Sequence, residues 1–308
     1  MSNIVQRSSV KKASKFARKE VENFSEFSSI ELYGISNFKP SLKLVSDYLD
    51  IRENDRMEFI SPSGVIYNMN EKPIDTDFKA SEGAFSFTKN KLELSENVEF
   101  KTPNLKIESQ QLNFFTKTSV FSAKGGVKII SRDKKSGDKI KVNSLSMRGN
   151  LNNRYYEYSG DVKASLRRKR IYESGVDFSS LKMIMNLQES TVLMEGDVVF
   201  KRNKFSMLAG KAELFLSNYN KTLKYYVLYD DIRLQEKLRL KDGSEMIRRA
   251  FADKIEGFNL DRKLVLTGSP RVIQGEDIIK GYRVTLREDL EMVEVDDSAS
   301  SFSLKKKE

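Results

Sequence analysis

The sequence predicts an all-β fold, an elongated folded-over sheet made of stacked repeats. Three observations predict it. Apolar and polar residues alternate at period two over most of the chain, turn-forming residues punctuate those runs, and one short phrase recurs about every 35 residues.

The alternation is clearest from residue 91 onward. Leu92 and Leu94 alternate with Lys91 and Glu93, and Val98 and Phe100 continue on the same parity. Leu105 and Ile107, Leu145 and Met147, Val176 and Phe178, Leu238 and Leu240, and Val284 and Leu286 repeat the pattern. In a strand this puts one set of side chains on each face, so the sheet has an apolar face and a wet face. Asn150-Leu-Asn-Asn153, Ser217-Asn-Tyr-Asn220 and Lys241-Asp-Gly-Ser244 supply turn chemistry between runs.

The recurring phrase is a small or acidic turn residue, then Val or Ile, then alternation. It reads Glu96-Asn-Val98-Glu-Phe100, Gly125-Gly-Val127-Lys-Ile129, Gly160-Asp-Val162-Lys-Ala164 and Gly196-Asp-Val198-Val-Phe200. Asp230-Asp-Ile232-Arg-Leu234 and Gly268-Ser-Pro270-Arg-Val272 are weaker copies. A unit of this length cannot close a core alone, so neighbouring units must stack.

Two segments depart from the strand pattern. Val10, Ala13, Phe16, Ala17, Val21, Phe24 and Phe27 fall at steps of three and four, which predicts a short amphipathic helix over residues 9–27 that packs on the first strands or serves as a connector. Residues 245–253 are ambiguous between helix and strand.

Composition removes whole classes of chemistry. With 0 Cys and 0 His there are no disulfides, thiolate metal sites, thiol nucleophiles or imidazole bases. No Gly-rich nucleotide loop is present. The expectation is a protein that is not an enzyme and carries no cofactor. Net charge is +10, but the excess is spread evenly, with 22 Lys+Arg against 18 Asp+Glu up to residue 135 and 32 against 26 beyond it. That distribution describes a solvated surface better than a focused patch. A nucleic-acid binder would place aromatic residues beside Lys and Arg on the wet face; Tyr155, Tyr156 and Tyr158 near Arg154 are slight support, and no nucleic-acid partner is expected. The given chain shows neither a signal-peptide h-region nor an apolar stretch long enough to span a membrane.

The later phrases resemble the OstA-like domain of the LptA family. Gly196-Asp-Val-Val-Phe200, Ala252-Asp253, Leu266-Thr-Gly268, Gly268-Ser-Pro-Arg-Val-Ile-Gln274 and Ile278-Ile-Lys-Gly281 carry that likeness. The earlier stretch resembles the LptC family through Met57-Glu-Phe-Ile-Ser-Pro62, Val65-Ile-Tyr-Asn68, Lys79-Ala-Ser-Glu-Gly83, Leu92-Glu-Leu-Ser-Glu-Asn-Val98 and Leu105-Lys-Ile-Glu-Ser109. The chain looks like an LptC–LptA fusion: residues 1–30 a helix or connector, 31–135 an LptC-like β-jellyroll, 136–297 an LptA-like one and 298–308 a polar tail. The resemblance implies a β-taco that carries lipopolysaccharide through an apolar groove in the periplasm, in association with the inner membrane and toward outer-membrane assembly. The chain would be anchored or exported by a segment upstream or through another protein. The partners it implies are an inner-membrane ABC transporter complex, and an outer-membrane receiver or other OstA-like units joined by edge strands.

The groove-lining candidates are the same-parity apolar residues near the repeat anchors. They are Phe85, Phe87, Leu92, Leu94, Val98, Phe100, Val127, Ile129, Val162, Val198, Phe200, Ile232 and Leu234. Each can equally be an ordinary packed strand residue. The run Arg167-Arg-Lys-Arg170 is a solvated loop or a contact for lipid phosphates. The competing class is a closed structural or adhesive β-solenoid, which has the same repeat and takes up no lipid.

Overall fold

Period-two patterning becomes strand nearly everywhere. The computed structural model describes residues 5–7, 25–36, 39–52, 55–67, 75–103, 105–132, 139–167, 175–202, 204–217, 222–240, 243–287, 292–296 and 299–301. The chain divides into two compact units, Met1–Asn152 and Asn153–Glu308. The first holds β1 (Val5–Arg7), β2 (Ser25–Ser36), β3 (Lys39–Arg52), β4 (Arg56–Ile60), β5 (Ser63–Ile66), β6 (Thr76–Lys79), β7 (Glu82–Ser86), β8 (Lys91–Lys101), β9 (Leu105–Phe115), β10 (Val120–Arg132) and β11 (Lys139–Asn150). The second holds β12 (Tyr155–Arg167), β13 (Val176–Asn186), β14 (Thr191–Arg202), β15 (Phe205–Ser217), β16 (Thr222–Arg239), β17 (Glu245–Phe258), β18 (Lys263–Thr267), β19 (Arg271–Gln274), β20 (Asp277–Lys280), β21 (Arg283–Arg287), β22 (Val293–Asp296) and β23 (Ala299–Ser301).

The helix expected over residues 9–27 lies outside the described residues except for its last three, and Ser25 to Phe27 open β2 instead. The ambiguous stretch 245–253 is strand, the first part of β17.

Every pairing is antiparallel, and long strands serve two half-sheets at once. In the first unit β8 to β11 pair in chain order. One half of β3 pairs β5 and the other half pairs β4. These lead through β6 and β7 back to the two halves of β8. In the second unit β12 to β17 pair in order. The halves of β17 then separate, one pairing β18 and the other β19. β21 and β22 extend the first half, and β20 and β23 extend the second. Each unit is thus a sheet folded along a line that crosses its strands.

Left-handed residues draw that line. The repeat phrase sits on it, with paired positive φ at Glu96 and Asn97, Gly125 and Gly126, Gly160 and Asp161, Gly196 and Asp197, Asp230 and Asp231, and Gly268 and Ser269. Two such residues oppose one on the neighbouring strand, and the register slips there in the pairing of β8 with β9, of β10 with β9 and β11, of β12 with β13, of β14 with β13 and β15, and of β16 with β15 and β17. The result is a β-bulge that bends the strand. A further left-handed residue precedes most corners by six positions, at Asn90, Ser119, Arg154, Ser190 and Arg262, where a tight hairpin turn ends. Asp55 and Ser61 show the same spacing, a corner the phrase search missed because Ser61-Pro62 replaces the small-acidic pair.

The intervening strands bend by other means. Ser46, Ser109, Ser144 and Ser180 are buried at the corner. Each donates its hydroxyl to the carbonyl two residues on: Tyr48 at 2.7 Å, Gln111 at 3.1 Å, Ser146 at 3.0 Å and Lys182 at 2.9 Å. Burial parity reverses across these serines. Leu145 is therefore 64% exposed while Met147 is buried, although strict alternation put both on one face.

The corner glycines separate two costs. Gly125 and Gly126 both have positive φ, but a Cβ on Gly125 falls 2.6 Å from Gln110 Cβ while nothing lies within 4 Å of one on Gly126. Gly126→Ala is expected to cost about 1–2 kcal/mol from backbone strain alone. Gly125→Ala should cost about 1–3 kcal/mol more for the clash. Urea unfolding of the two variants checks this, and equal losses would refute the contact.

Candidate functional site

The fold turns the apolar face of each unit inward as continuous rows. In the first unit one half-sheet presents Leu32, Leu44, Gly64, Phe78, Phe100, Ile107, Ile129 and Val142, each in register with the next. The other presents Met57, Phe85, Leu92, Phe114 and Phe121. Phe100 meets Phe114 and Phe121 across the fold with ring centroids 5.5 and 5.8 Å apart. The half-sheets touch here, and the interior is packed.

Toward the other end of that unit the half-sheets part. Leu32, Tyr33, Gly34, Leu42 and Leu44 line one side, and Met57, Phe59, Phe85 and Phe87 the other, of a small apolar cleft that is partly open to solvent. Phe85 and Phe87 meet edge to face at 4.8 Å.

The second unit repeats the construction. Tyr158, Met183, Met194, Ala212, Leu228, Ile255, Leu266 and Val284 form one inner row. Facing it run Ala164, Phe178, Phe200, Met207, Leu234, Ala250, Val272 and Ile279. Phe200 stacks on Tyr226 of the opposite half at 5.1 Å. Gly257 makes room for that ring, because a Cβ there would sit 2.0 Å from Tyr226 Cζ.

Of the thirteen lining candidates, twelve are buried and inward. Only Phe87, just beyond β7, is partly exposed. Phe85 and Phe87 line the cleft, whereas the other candidates lie in the packed rows. Sequence reading missed the rest of the cleft wall, Leu32, Leu42, Leu44, Met57 and Phe59, since those strands lack the repeat phrase. Of the basic run only Arg167 is described, and it pairs with Asp177 at 2.6 Å. Tyr158 is buried inside the fold, and burial pushes its phenol well above the ordinary tyrosine range, so it gives nucleic acid no exposed platform.

Among the described residues, charge enters the interior at one place. One inward row of the second unit contains Arg202, Phe205, Glu236, Arg248 and Gln274 in register, and on β16 and β17 Leu238 and Met246 follow beyond it. Arg248 is fully buried; its guanidinium donates to Glu236 at 2.5 and 3.1 Å and to the Arg287 carbonyl of the facing half-sheet at 2.9 Å. Arg202 reaches Asn259 of that facing half. Among the described residues no cluster of His, Cys, Asp or Glu suits a metal ion, and no helix is long and apolar enough to cross a membrane.

The wet face carries cross-strand ion pairs and one aromatic triplet. Tyr225 lies between Phe215 and Phe258, with centroids 5.4 and 5.1 Å away. Its hydroxyl donates to Glu256 at 2.5 Å, and Lys254 pairs the same carboxylate at 3.2 Å. The Tyr225 bond, with Lys254 adding, holds the Glu256 carboxyl below its usual range; desolvation and then Glu256 push the phenol up.

Comparison with known proteins now decides the family. The model for lipopolysaccharide-assembly, LptC-related proteins matches residues 13–167, just over half of the 308. The chain belongs to the LptC-related lipopolysaccharide-assembly family. A second model, for the LptA/(LptD N-terminal domain) LPS transport protein, follows in tandem over residues 177–291. Among solved structures the chain is similar to LptH, described as the LptA homologous periplasmic component of the conserved lipopolysaccharide transport device from Pseudomonas aeruginosa. The two share 13% identity over 42% of this chain and 95% of that one, with a TM-score of 0.38. No curated protein sequence matches. An LptC-related region followed by an LptA-like one is the arrangement of a periplasmic lipopolysaccharide transport component, as the sequence motifs implied.

Two measurements check this account of the interior. Phe100→Ala should cost about 3–5 kcal/mol, as a buried ring lost from a packed site does, whereas Phe87→Ala at the cleft should cost under about 1 kcal/mol. Similar losses in thermal unfolding would show that the cleft is as packed as the rest. A depressed folded-state pKa at Glu256 stabilises the fold above the ordinary carboxylate range and ceases to do so as pH falls below about 4.5. Tyr225→Phe should therefore flatten the acid limb of a stability–pH curve while costing about 1 kcal/mol at neutral pH.

Proposed function

We infer that the chain is a non-enzymatic carrier that holds the acyl chains of lipopolysaccharide between its half-sheets and passes the lipid toward the outer membrane. The single observation that carries this reading is the cleft between the half-sheets of the first unit, whose wall is apolar throughout and continues into unbroken apolar rows. A buried methylene contributes about 0.8 kcal/mol, so a few acyl chains bind without directional chemistry. Equivalent successive rows let the lipid slide.

The rest of the scheme follows from the family. The LptC-like module over 31–135 receives lipid from an inner-membrane ABC transporter complex, which supplies the energy, and the LptA-like module over 136–297 hands it on. The chain works in the periplasm in association with the inner membrane. Exposed strand edges at the ends of the folded sheets pair with other OstA-like units or with the outer-membrane receiver. The thirteen interior positions from Phe85 to Leu234 named above are the proposed lining.

A photo-crosslinking residue placed at Phe87, Phe100 or Phe200 in cells making lipopolysaccharide tests the reading. Adducts with lipopolysaccharide are expected at all three, strongest at the cleft residue Phe87. Their absence at every position would leave a closed structural solenoid as the better description.

A further inference from the structure

The charges in one inward row of the second unit have no part in holding hydrocarbon. Nearer the bend, the row at the corner is apolar but for Ser180 and the next is apolar from strand to strand; the third brings Arg202, Glu236 and Arg248 into register on β14, β16 and β17. The equivalent row of the first unit runs Gly34, Leu42, Ile66 and Thr76, then Leu105, Ser131 and Ile140, without a charge. The charges are therefore a property of the second unit, not of the fold.

An amphiphile whose tails lie against the rows nearer the bend brings its head group to this third row. The groups waiting there are guanidiniums, whose planar fork of donors matches phosphate oxygens better than any other side chain does. Two of their observed acceptors, the Asn259 amide and the Arg287 carbonyl, are neutral. A phosphate dianion exchanges for either with a gain, because it adds an opposite charge and a second oxygen for a bidentate pair where a neutral acceptor offers only a dipole. β14 and β17 are separated by three strand spacings, about 14 Å, so the two arginines serve two separate phosphates more readily than one. Glu236 sits between them, and its carboxylate competes for Arg248. Competition limits affinity, which a site that must release its lipid requires.

We propose that Arg202 and Arg248, with Glu236 as internal competitor, form a docking site for the phosphate groups of a lipid whose acyl chains occupy the interior of the second unit. This rests on the carrier reading and adds a head-group contact to it.

The test uses the full chain with two probes, a bis-phosphorylated lipid A and the same lipid after phosphatase treatment, each titrated against a crosslinker at Phe200. The variants are Arg202→Gln, and Glu236→Gln combined with Arg248→Gln so that no buried charge is left alone; circular dichroism and thermal unfolding verify that both fold. Wild-type chain should prefer the phosphorylated lipid by roughly a hundredfold, about tenfold for each of two phosphate contacts, and each variant should cut that ratio about tenfold. A variant that folds and keeps the preference overturns the proposal, as does a wild type that binds both lipids alike. A wild type that binds neither lipid sinks the carrier reading instead. Inorganic phosphate alone is the arm for a free anion: Arg202-dependent thermal protection by it, without discrimination between the lipids, overturns the lipid site in favour of free phosphate.

Discussion

The whole architecture depends on one backbone constraint, the left-handed pair at the middle of alternate strands. An L-residue there costs roughly 1–2 kcal/mol, and the chain accepts this at six paired corners. In return each long strand contributes to two half-sheets and the apolar face closes on itself. The preceding hairpin turns are spaced to match, since six positions from turn to corner leaves five residues of strand. That constant length keeps each inner row straight from one strand to the next. Were one corner to shift by a residue, every side chain beyond it would change face.

The corners explain what could be read from the sequence. The recurring phrase is the corner itself, and its anchors Val98, Val127, Val162, Val198 and Ile232 are all at most 1% exposed because the residue after the pair always turns inward. The small or acidic residues that made the phrase recognisable are those that tolerate positive φ. Intervening strands were less legible. Their bend needs only a buried serine bonded to its own chain, a signal too short to stand out, so strict alternation carried Leu145 to the wrong face. β17 was ambiguous for another reason: it turns Arg248 inward beside Ala250, and a charged residue at an interior position breaks the pattern that identifies a strand.

Legibility of the site has a physical limit. Period two assigns a face, and twelve of thirteen assignments are buried; it does not say whether the facing half-sheet is in contact. At Phe100 it is, and beside Phe85 and Phe87 a small cleft opens between the halves. The difference arises from which strands face each other across the bend, set by the split of β3 between β4 and β5. On the carrier reading the packed stretches are no obstacle. An acyl chain that parts Phe100 from Phe121 replaces ring contacts with methylene contacts of similar strength, so opening costs mainly the distortion of the sheet.

The buried pair of Arg248 and Glu236 is the feature that least fits a purely apolar conduit. Taking two charges out of water is costly, and well-packed hydrophobic residues in their place are often as stabilising or more so. Stability is therefore a poor reason for the pair. Its location supplies a better one. The pair lies in an inward row just outside the apolar ones, with Leu238 and Met246 inward beyond it, and Arg248 also crosses to the Arg287 carbonyl on the facing half. Tails are held by area, which cannot distinguish one lipid from another; a fixed charge beside the hydrocarbon can, because only a lipid with an anionic group at that depth replaces the contacts it disrupts. Apolar rows supply affinity and the charged row supplies selection, and placing the two in adjacent rows of one sheet lets both act on the same molecule.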